Sequence, residues 1–546
     1  MYKIEELYTL EMFESIKKVE QTRNNRISDT YEKLNEKQKE ELLNTIHPDY
    51  KEDSFTKIKA GANKGEKAPI EVAEILHANS MLSNVYVDVN APHYETDVLV
   101  IGGGGGGACA AIEAKKAGAN VLIATKLRMG DSNTVMAETG MQAATKENDS
   151  PQQHYLDAYV VGKFKAKPDI LSHFVTNAPE TVKWLNDLGV AFTKNEDGSM
   201  TTAHGVDTSR KRLHLSGRFI GMEIMRVLRD EINNLQIPIL EFSPAIELIK
   251  DDNGNVAGAV LLNMLNGEHI VVRSKAVIIA TGGSGRLHHA GLNTNNHYGA
   301  TADGVVLAYR AGASLIDQDS HQYTATGIVW PTAILGVRLI DVFRTIGAGL
   351  CNANGQQFVN SKDARDIVGA SIIKECTQNN GGIQTINGPG VWLDFPMLDI
   401  IHGEGFTEKN ISVFYQKCMQ LGIDVTKYPI LVYPISDYQN GGIEIEVTCA
   451  TTKISNLFAA GEVAGGLHGR DRIPGNSLTD VLVFGRQAGK HAAQVAKNIS
   501  LGNPNLNHVN EYNNELIKAG INATNTSPIL LPKYSNVNKK PYMALL

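Results

Sequence analysis

Cysteine is scarce and scattered in this chain, and that closes off several kinds of chemistry. Cys109, Cys351, Cys376, Cys418 and Cys449 are odd in number, widely separated and include no C-x-x-C pair. They offer no evident ligand run for an iron–sulfur cluster or a structural zinc, and no metal site is expected. A basic excess is missing too. Against 59 Asp and Glu stand 52 Lys and Arg, for a net charge of -7, which argues against a nucleic-acid-binding surface. No apolar run approaches the ~18 residues a membrane-spanning helix requires. Glu5, Glu6 and Glu11 leave no signal-peptide core near the N-terminus, so a cytoplasmic protein is expected, with any membrane association running through partners.

What is present begins with length: 546 residues imply more than one domain and a large core. Residues 1–93 are rich in Glu, Lys, Asn and Gln, with helical spacing from Ile4 to Ile16 and from Tyr31 to Leu43. They carry no catalytic pattern and read as helices that pack on the main body or on a partner. After Pro92 the composition turns to Gly, Ala and Val, and a boundary is placed there.

The stretch from Tyr94 to Ala111 reads as strand, turn and helix. Val98 to Ile101 form a β-branched apolar run, Gly102, Gly104 and Gly107 satisfy G-x-G-x-x-G, and Ala108 to Lys116 continue as a helix. Such a turn lets backbone N–H groups and the positive end of the helix approach a pyrophosphate, so a dinucleotide is expected. A second strand, Asn120 to Ala124, ends in Thr125-Lys126 about twenty residues later, where a ribose contact belongs; the carboxylate that favours NAD is missing.

The polar loop from Lys126 to Ala144, which holds Asn133, Thr134 and Gly140, has the character of a cofactor lining and leads towards a helix. His204 to His214, within Thr201 to Arg218, is a basic run that reads equally as a solvated face. Ile237 to Phe242 and Ala257 to Leu262 read as strands, with Asp251 to Asn255 as a hairpin turn. Ala276-Val-Ile-Ile-Ala-Thr-Gly-Gly-Ser-Gly285 is a buried strand closing in glycines, and Leu457-Phe-Ala-Ala-Gly-Glu-Val-Ala-Gly-Gly466 repeats that form.

Taken together, the segment from about Tyr94 to Ala496 resembles the flavoprotein subunit of fumarate reductase and succinate dehydrogenase, whose superfamily includes L-aspartate oxidase. The motifs that carry the resemblance are Gly102 to Gly107, Ala280-Thr-Gly-Gly283, Ala302-Asp-Gly304, Asp341-Val-Phe-Arg344, Gly461-Glu462, His468-Gly-Arg-Asp-Arg472 and Gly475-Asn-Ser-Leu478. Ile46-His-Pro-Asp-Tyr50 is similar to extensions on some members. The resemblance implies an α/β fold: a Rossmann-like FAD-binding domain interrupted by an α+β capping domain, after a helical N-terminal extension. The expected bounds are 1–93 for the extension, 94–324 and 437–500 for the FAD domain, 325–436 for the cap and 501–546 for a C-terminal tail.

FAD contacts are expected from Gly102, Gly104, Gly107, Thr125, Lys126, Asn133, Thr134, Gly140, Ala245, Gly282, Gly283, Asp303, Glu462, Asn476, Ser477 and Leu478. Many relatives bind FAD covalently through a histidine; Asn133 stands in its place, and an amide cannot form that bond, so the FAD is expected to be non-covalent. In the family, hydride passes between flavin N5 and one carbon of an unsaturated carboxylate while an arginine protonates the other. Arg344 matches that arginine by its spacing to Gly347, Asn352 and Gly355, with Asp341 beside it, and Arg472 matches the arginine that grips a substrate carboxylate. His204 and Thr326 complete the expected substrate contacts. The absence of cysteine clusters implies either a separate iron–sulfur or other electron-transfer subunit, or direct reduction by a soluble donor.

The family's two substrate histidines align with Thr324 and Asp437, and Asp471 replaces an asparagine. His321, three residues early, substitutes only if the alignment slips. A carboxylate at Asp437, facing a substrate carboxylate at about 4 Å in a dielectric of about 20, repels it by about 4 kcal/mol. That corresponds to about a thousandfold in affinity. Unless Asp437 is protonated or neutralised by Arg470, the expected substrate is an enoate with an amine or imidazole at its far end rather than fumarate. Two alternatives remain open: an altered paralogue serving as an FAD-bearing electron carrier or scaffold, and an L-aspartate oxidase-like enzyme.

Overall fold

The computed structural model describes residues 3–28, 31–138, 140–217 and 219–532. Arg218, which ends the basic segment, Thr139 within the polar loop, and residues 533–546 of the expected tail lie outside the described residues.

The strand Tyr94–Ile101 is the axis of the larger sheet. It runs parallel to Val121–Ala124 on one side and His269–Ile279 on the other. Leu457–Ala459 lies parallel to His269–Ile279, and Ile239–Leu240 extends the sheet beyond Val121–Ala124. Their registers align Ile101 with Ala124 and Ile279, and Ile279 with Ala459. The parallel strands thus end on one edge, where a crevice forms in open α/β sheets. Ala245–Asp251 and Val256–Leu262 form an antiparallel hairpin about the expected turn, its first strand being Ala245–Asp251 and not the expected 237–242; Asp251 Oδ1 closes it by accepting from the N–H groups of Asn253 and Asn255, each at 2.9 Å. Only Ile239–Leu240 of the strand expected over 237–242 is paired. The helix Gly105–Lys116 begins three residues earlier than its apolar spacing suggests, inside the glycines.

Glycine sets how closely the layers meet. A side chain at Gly107 would lie 1.9 Å from the Gly102 carbonyl oxygen, so only glycine lets this helix approach its own strand. Gly485 and Gly489 of the helix Asn476–Ala496 face the Gly106 and Ala110 carbonyls in the same way, at 2.5 and 2.2 Å from an ideal Cβ.

A second sheet forms the cap. Ile430–Gln439 pairs antiparallel with His321–Trp330 and with Gly388–Asp394. Both long strands run unbroken through the boundaries placed at 324/325 and 436/437. Arg365–Thr377 packs against this sheet over a core that includes Trp392, Phe395 and Leu431.

The N-terminal extension divides between the two bodies. Tyr8, Met12, Ile16 and Val19, on or beside the helices Ile4–Leu7 and Leu10–Ser28, enter the cap core. Leu42 and Ile46 pack on Ile367 and Ala370 of the cap helix. The third helix starts at Glu36, not Tyr31, because Asn35 caps it and accepts from Gln38 N at 3.0 Å. Ile58, Val72 and Leu76 instead join the core of the FAD-domain sheet. The tail is not merely polar. Its helix Asn507–Lys518 buries Val509, Tyr512 and Leu516, and Thr526–Ser527 pairs with Asn79–Ser80.

Candidate active site

Where the parallel strands end, a cavity of about 850 Å³ runs from the glycine turn to the cap. Gly102 to Gly106, Thr125 and Lys126 line one end, and Ala245, Gly282 and Asp303 stand with them. Asn133, Thr134, Gly140, Glu462, Ser477 and Leu478 line its middle, and Thr324, Asp341, Asp437, Arg472 and His204 line the far end. Sequence-predicted residues from many separate segments therefore meet in one space.

The glycine turn is shaped for a close backbone approach. Gly102 has φ +126, and an added Cβ would lie 2.2 Å from the Ala280 carbonyl oxygen. Gly105 N donates to Thr134 Oγ1 at 3.1 Å, which ties the polar loop to the helix start. The buried Thr281 Oγ1, on the facing glycine loop, has no hydrogen-bond partner in the structure. Glu462 is fully enclosed; burial pushes its carboxyl up to about 7, against the opposing effect of hydrogen bonds from Gln439 N and Asn133. Backbone lining the cavity at a helix start, together with the unpartnered Thr281 hydroxyl and the enclosed Glu462 carboxyl, suits a dinucleotide's pyrophosphate and sugar. Asn133 donates to Asn296 Oδ1 at 2.7 Å.

Some predicted contacts have other work. Gly107 and Gly283 are not in the cavity wall; they allow helix–strand packing and the close fit of Glu462, whose Oε1 lies 2.5 Å from an ideal Cβ on Gly283. Asn476 is buried behind the wall, 2.9 Å from His154 Nε2. Lys126 and Asp303 pair with each other at 2.6 Å, and Lys126 also donates to the Leu530 carbonyl. Thr326 donates to the Leu339 carbonyl at 2.8 Å and does not line the cavity.

The far end differs from expectation at two points. Arg344 is buried but is not among the lining residues. Its guanidinium is committed to Asp341 Oδ1 at 3.1 Å, the Asp363 carbonyl at 2.9 Å and the Ser361 carbonyl. The lining arginine from this region is Arg365, at the first turn of the cap helix. Asp207 and Asp471 lie 3.5 and 3.8 Å from it. Burial works against its charge, and Asp471, Asp341, Asp207 and Asp437 more than offset that. Nothing in the sequence marks Arg365, because one charge in Lys362-Asp-Ala-Arg-Asp366 looks like an ordinary solvated helix start.

The second departure concerns Asp437. Arg470 does not neutralise it, being paired with Asp319 at 2.7 Å. Arg338, a residue with no motif around it, does so at 3.0 Å, and Arg472 adds a contact at 3.5 Å. Burial raises the Asp437 carboxyl, but Arg338, then Arg472 and Asn295, bring it down to about 2. Arg472 also lies 4.4 Å over the Tyr438 ring and donates to Ser477 at 3.1 Å. Its Nε is buried without a partner. His321 stays out of the site. Its ring sits 4.0 Å from that of His289, and burial holds it well below the ordinary histidine range.

Fold and cavity define a flavin-dependent oxidoreductase built on a dinucleotide-binding sheet. Comparison with known proteins agrees: residues 97–478 match the family described as FAD binding domain. An uncharacterised FAD-dependent oxidoreductase of Methanocaldococcus jannaschii is 37% identical over 418 residues, covering 75% of this chain and 74% of that protein. One subunit of the fumarate reductase (CoM/CoB) of Methanothermobacter marburgensis is 33% identical, over 74% of each chain. Among solved structures, the apo form of the Mycobacterium smegmatis Sdh1 complex superposes with TM-score 0.70 at 31% identity, covering 77% of this chain and 72% of that one. The chain belongs to the FAD-binding family of fumarate reductase, succinate dehydrogenase and L-aspartate oxidase flavoproteins, and is an FAD-dependent oxidoreductase. No helix among the described residues is long and apolar enough to cross a membrane.

Proposed function

We propose that this flavoprotein interconverts the saturated and unsaturated forms of a small carboxylic acid, fumarate or a related enoate. The observation that carries this reading is the meeting of three guanidinium groups, Arg338, Arg365 and Arg472, at the end of the FAD cavity. FAD, when bound, supplies the hydride exchange at carbon. Arg472, with its buried unpartnered Nε, grips a substrate carboxylate as a planar donor.

Arg365 rather than Arg344 delivers the proton to the second carbon, since a proton donor must face the substrate. An arginine serves as acid here because the carbanion developing beside it is far more basic than ordinary oxygen bases. Asp341 lines the cavity and is held by Arg344, so this pair stands behind Arg365 as its route for reprotonation.

The neutralised Asp437 removes the reason to require a cationic substrate end, and it speaks against an L-aspartate oxidase-like site that would need a free carboxylate for an amino group. The three guanidinium groups gathered at the substrate end of the cavity also speak against a pure electron carrier. All five cysteines are buried and free. A separate electron-transfer partner, iron–sulfur or other, or a soluble donor is therefore the proposed source of electrons.

The test is anaerobic re-oxidation of the reduced flavoprotein by fumarate and a panel of enoates, followed at the flavin absorbance band. Re-oxidation by one of them that is lost in Arg365→Lys at unchanged FAD content supports the reading. No re-oxidation by any enoate refutes it.

A further inference from the structure

The C-terminal segment returns to the FAD cavity. Thr526–Ser527 lies along Asn79–Ser80 of the N-terminal extension, and Arg310 Nη2 donates to Ser527 Oγ at 2.7 Å. Three residues on, the chain turns sharply about Leu530, which has φ +60, and Leu531 N donates to the Ile529 carbonyl at 2.7 Å. A three-residue turn of this hand about a leucine is sterically costly and persists only where its surroundings hold it. Here they do. The Leu530 side chain enters an apolar cluster with Leu82, Val89, Ile246 and Val260, while its carbonyl accepts from Lys126 Nζ and lies 3.0 Å from Thr301 Oγ1. Tyr298 OH donates to the Pro532 carbonyl at 3.0 Å.

The groups that Leu530 touches belong to one end of the cavity. Lys126 and Asp303 line it there, beside Thr125 at the end of the strand Val121–Ala124, where such folds place a dinucleotide's ribose. Around the Lys126 ammonium stand Asp303 Oδ2 at 2.6 Å, the Gly299 carbonyl and Thr301 Oγ1 at 2.8 Å each, and the Leu530 carbonyl. Thr301 Oγ1 also reaches Asp303 Oδ1 at 2.8 Å. Four acceptors exceed the three donors of an ammonium, so Leu530 contributes direction rather than neutralisation. Three of the acceptors sit on residues 299–303 and draw the ammonium one way; the fourth holds it from a segment more than two hundred residues on.

We infer that residues 526–532 are part of the FAD site: the Leu530 carbonyl is a positioning group that sets Lys126, Thr301 and Asp303 at the adenosine end, so that the C-terminal segment governs how tightly FAD is held. This role is independent of which acid the enzyme reduces.

FAD is removed from the full chain, its re-binding is followed by quenching of flavin fluorescence, and ADP, which carries only the adenosine half, is titrated as competitor. Wild type is compared with Leu530→Pro, Leu530→Gly, Lys126→Met and the double variant Lys126→Met with Leu530→Pro. Proline cannot adopt φ +60, so Leu530→Pro moves the carbonyl, whereas Leu530→Gly removes the side chain and keeps the turn. Leu530→Pro should raise Kd for FAD and for ADP about 10-fold each, the worth of one hydrogen bond, and leave the absorbance band of bound flavin in place. Leu530→Gly should lie nearer wild type. The double variant should bind no more weakly than Lys126→Met, because both changes act through one contact. In wild type, ADP alone should slow amide hydrogen exchange over residues 526–532, since coupling between segment and site is reciprocal; this measurement needs no variant to fold. Unchanged Kd values in Leu530→Pro, even with a lower thermal midpoint of the FAD-free protein, would overturn the inference. So would weaker FAD binding with ADP affinity intact, equal losses in Leu530→Gly and Leu530→Pro, additive losses in the double variant, or exchange that ADP leaves unaltered.

Discussion

Arg344 donates through Nε to Asp341 Oδ1 at 3.1 Å, and of this pair only Asp341 reaches the cavity wall. The motif Asp341-Val-Phe-Arg344 therefore builds an ion pair whose acidic member lines the same cavity as Arg365. The two arginines should differ sharply on mutation. Arg365→Lys is expected to lower kcat by about 10²- to 10⁴-fold, the range for loss of a positioned proton donor. Arg344→Lys, which disturbs the group behind it, is expected to cost much less in the chemical step and to leave FAD content unchanged. Single-turnover re-oxidation of the reduced flavoprotein separates the two; equal losses would restore Arg344 as the donor.

Arg472 sits on Tyr438 and shares Asp437 with Arg338. Arg472→Lys keeps the charge but loses the fork and the stacking, so KM for the acid is expected to rise by about 10- to 100-fold. A steady-state series at saturating reductant reads this, and an unchanged KM would remove Arg472 from substrate binding.

Glu462 and Asp437 pull stability in opposite directions as pH changes. Glu462 moves from 4.5 up to about 7 on folding, so its contribution is complete below 4.5 and is lost as pH rises to about 7. Asp437 moves from 3.8 down to about 2, so its contribution is complete above 3.8 and is lost as pH falls towards 2. Each effect is worth roughly 2–3 kcal/mol. Thermal midpoints of flavin-free protein across pH 4 to 8 should fall with rising pH less steeply in Glu462→Gln than in wild type. An unaltered slope would mean that the buried carboxyl ionises normally.

Much of this site was legible in the chain, for reasons that can be named. Gly102, Gly104 and Gly107 announce themselves because a tight strand-to-helix turn admits nothing larger, and Glu462 follows a second glycine-terminated strand. The lining residues Thr125, Asn133 and Ser477 follow from the same motifs. Arg338 and Arg365 were not legible. Arg338 matters because strands that pair His321 with Gln439 bring it to a carboxylate about a hundred positions away, and Arg365 because the cap helix sets it beside Asp207 and Asp471 from distant segments. Nothing local distinguishes such an arginine from one that faces water. The extension misled in another way. Its polar composition suggested surface helices, yet the apolar stripe of Tyr8, Met12, Ile16 and Val19 is spaced to complete the cap core.

That stripe leads to the last prediction, which concerns how the extension is held. Arg23 and Arg26 both reach Asp394, at 2.9 and 2.7 Å, and the Asp394 side chain is completely buried at the end of a cap strand. Trp392 on the same strand donates to Ser15 at 2.8 Å, and Tyr8 donates to the Pro429 carbonyl at 2.9 Å. Removing the shared carboxylate leaves two guanidinium groups facing each other without a counter-charge, one of them buried. Such a loss costs about 3–5 kcal/mol where a buried pair is broken. Asp394→Ala should therefore lower the thermal midpoint and make the segment before Asn35 sensitive to limited proteolysis, while FAD content holds because the glycine turn and Glu462 belong to the other sheet and its loops. Loss of FAD at an unchanged midpoint would show instead that the extension serves cofactor binding and not the integrity of the cap.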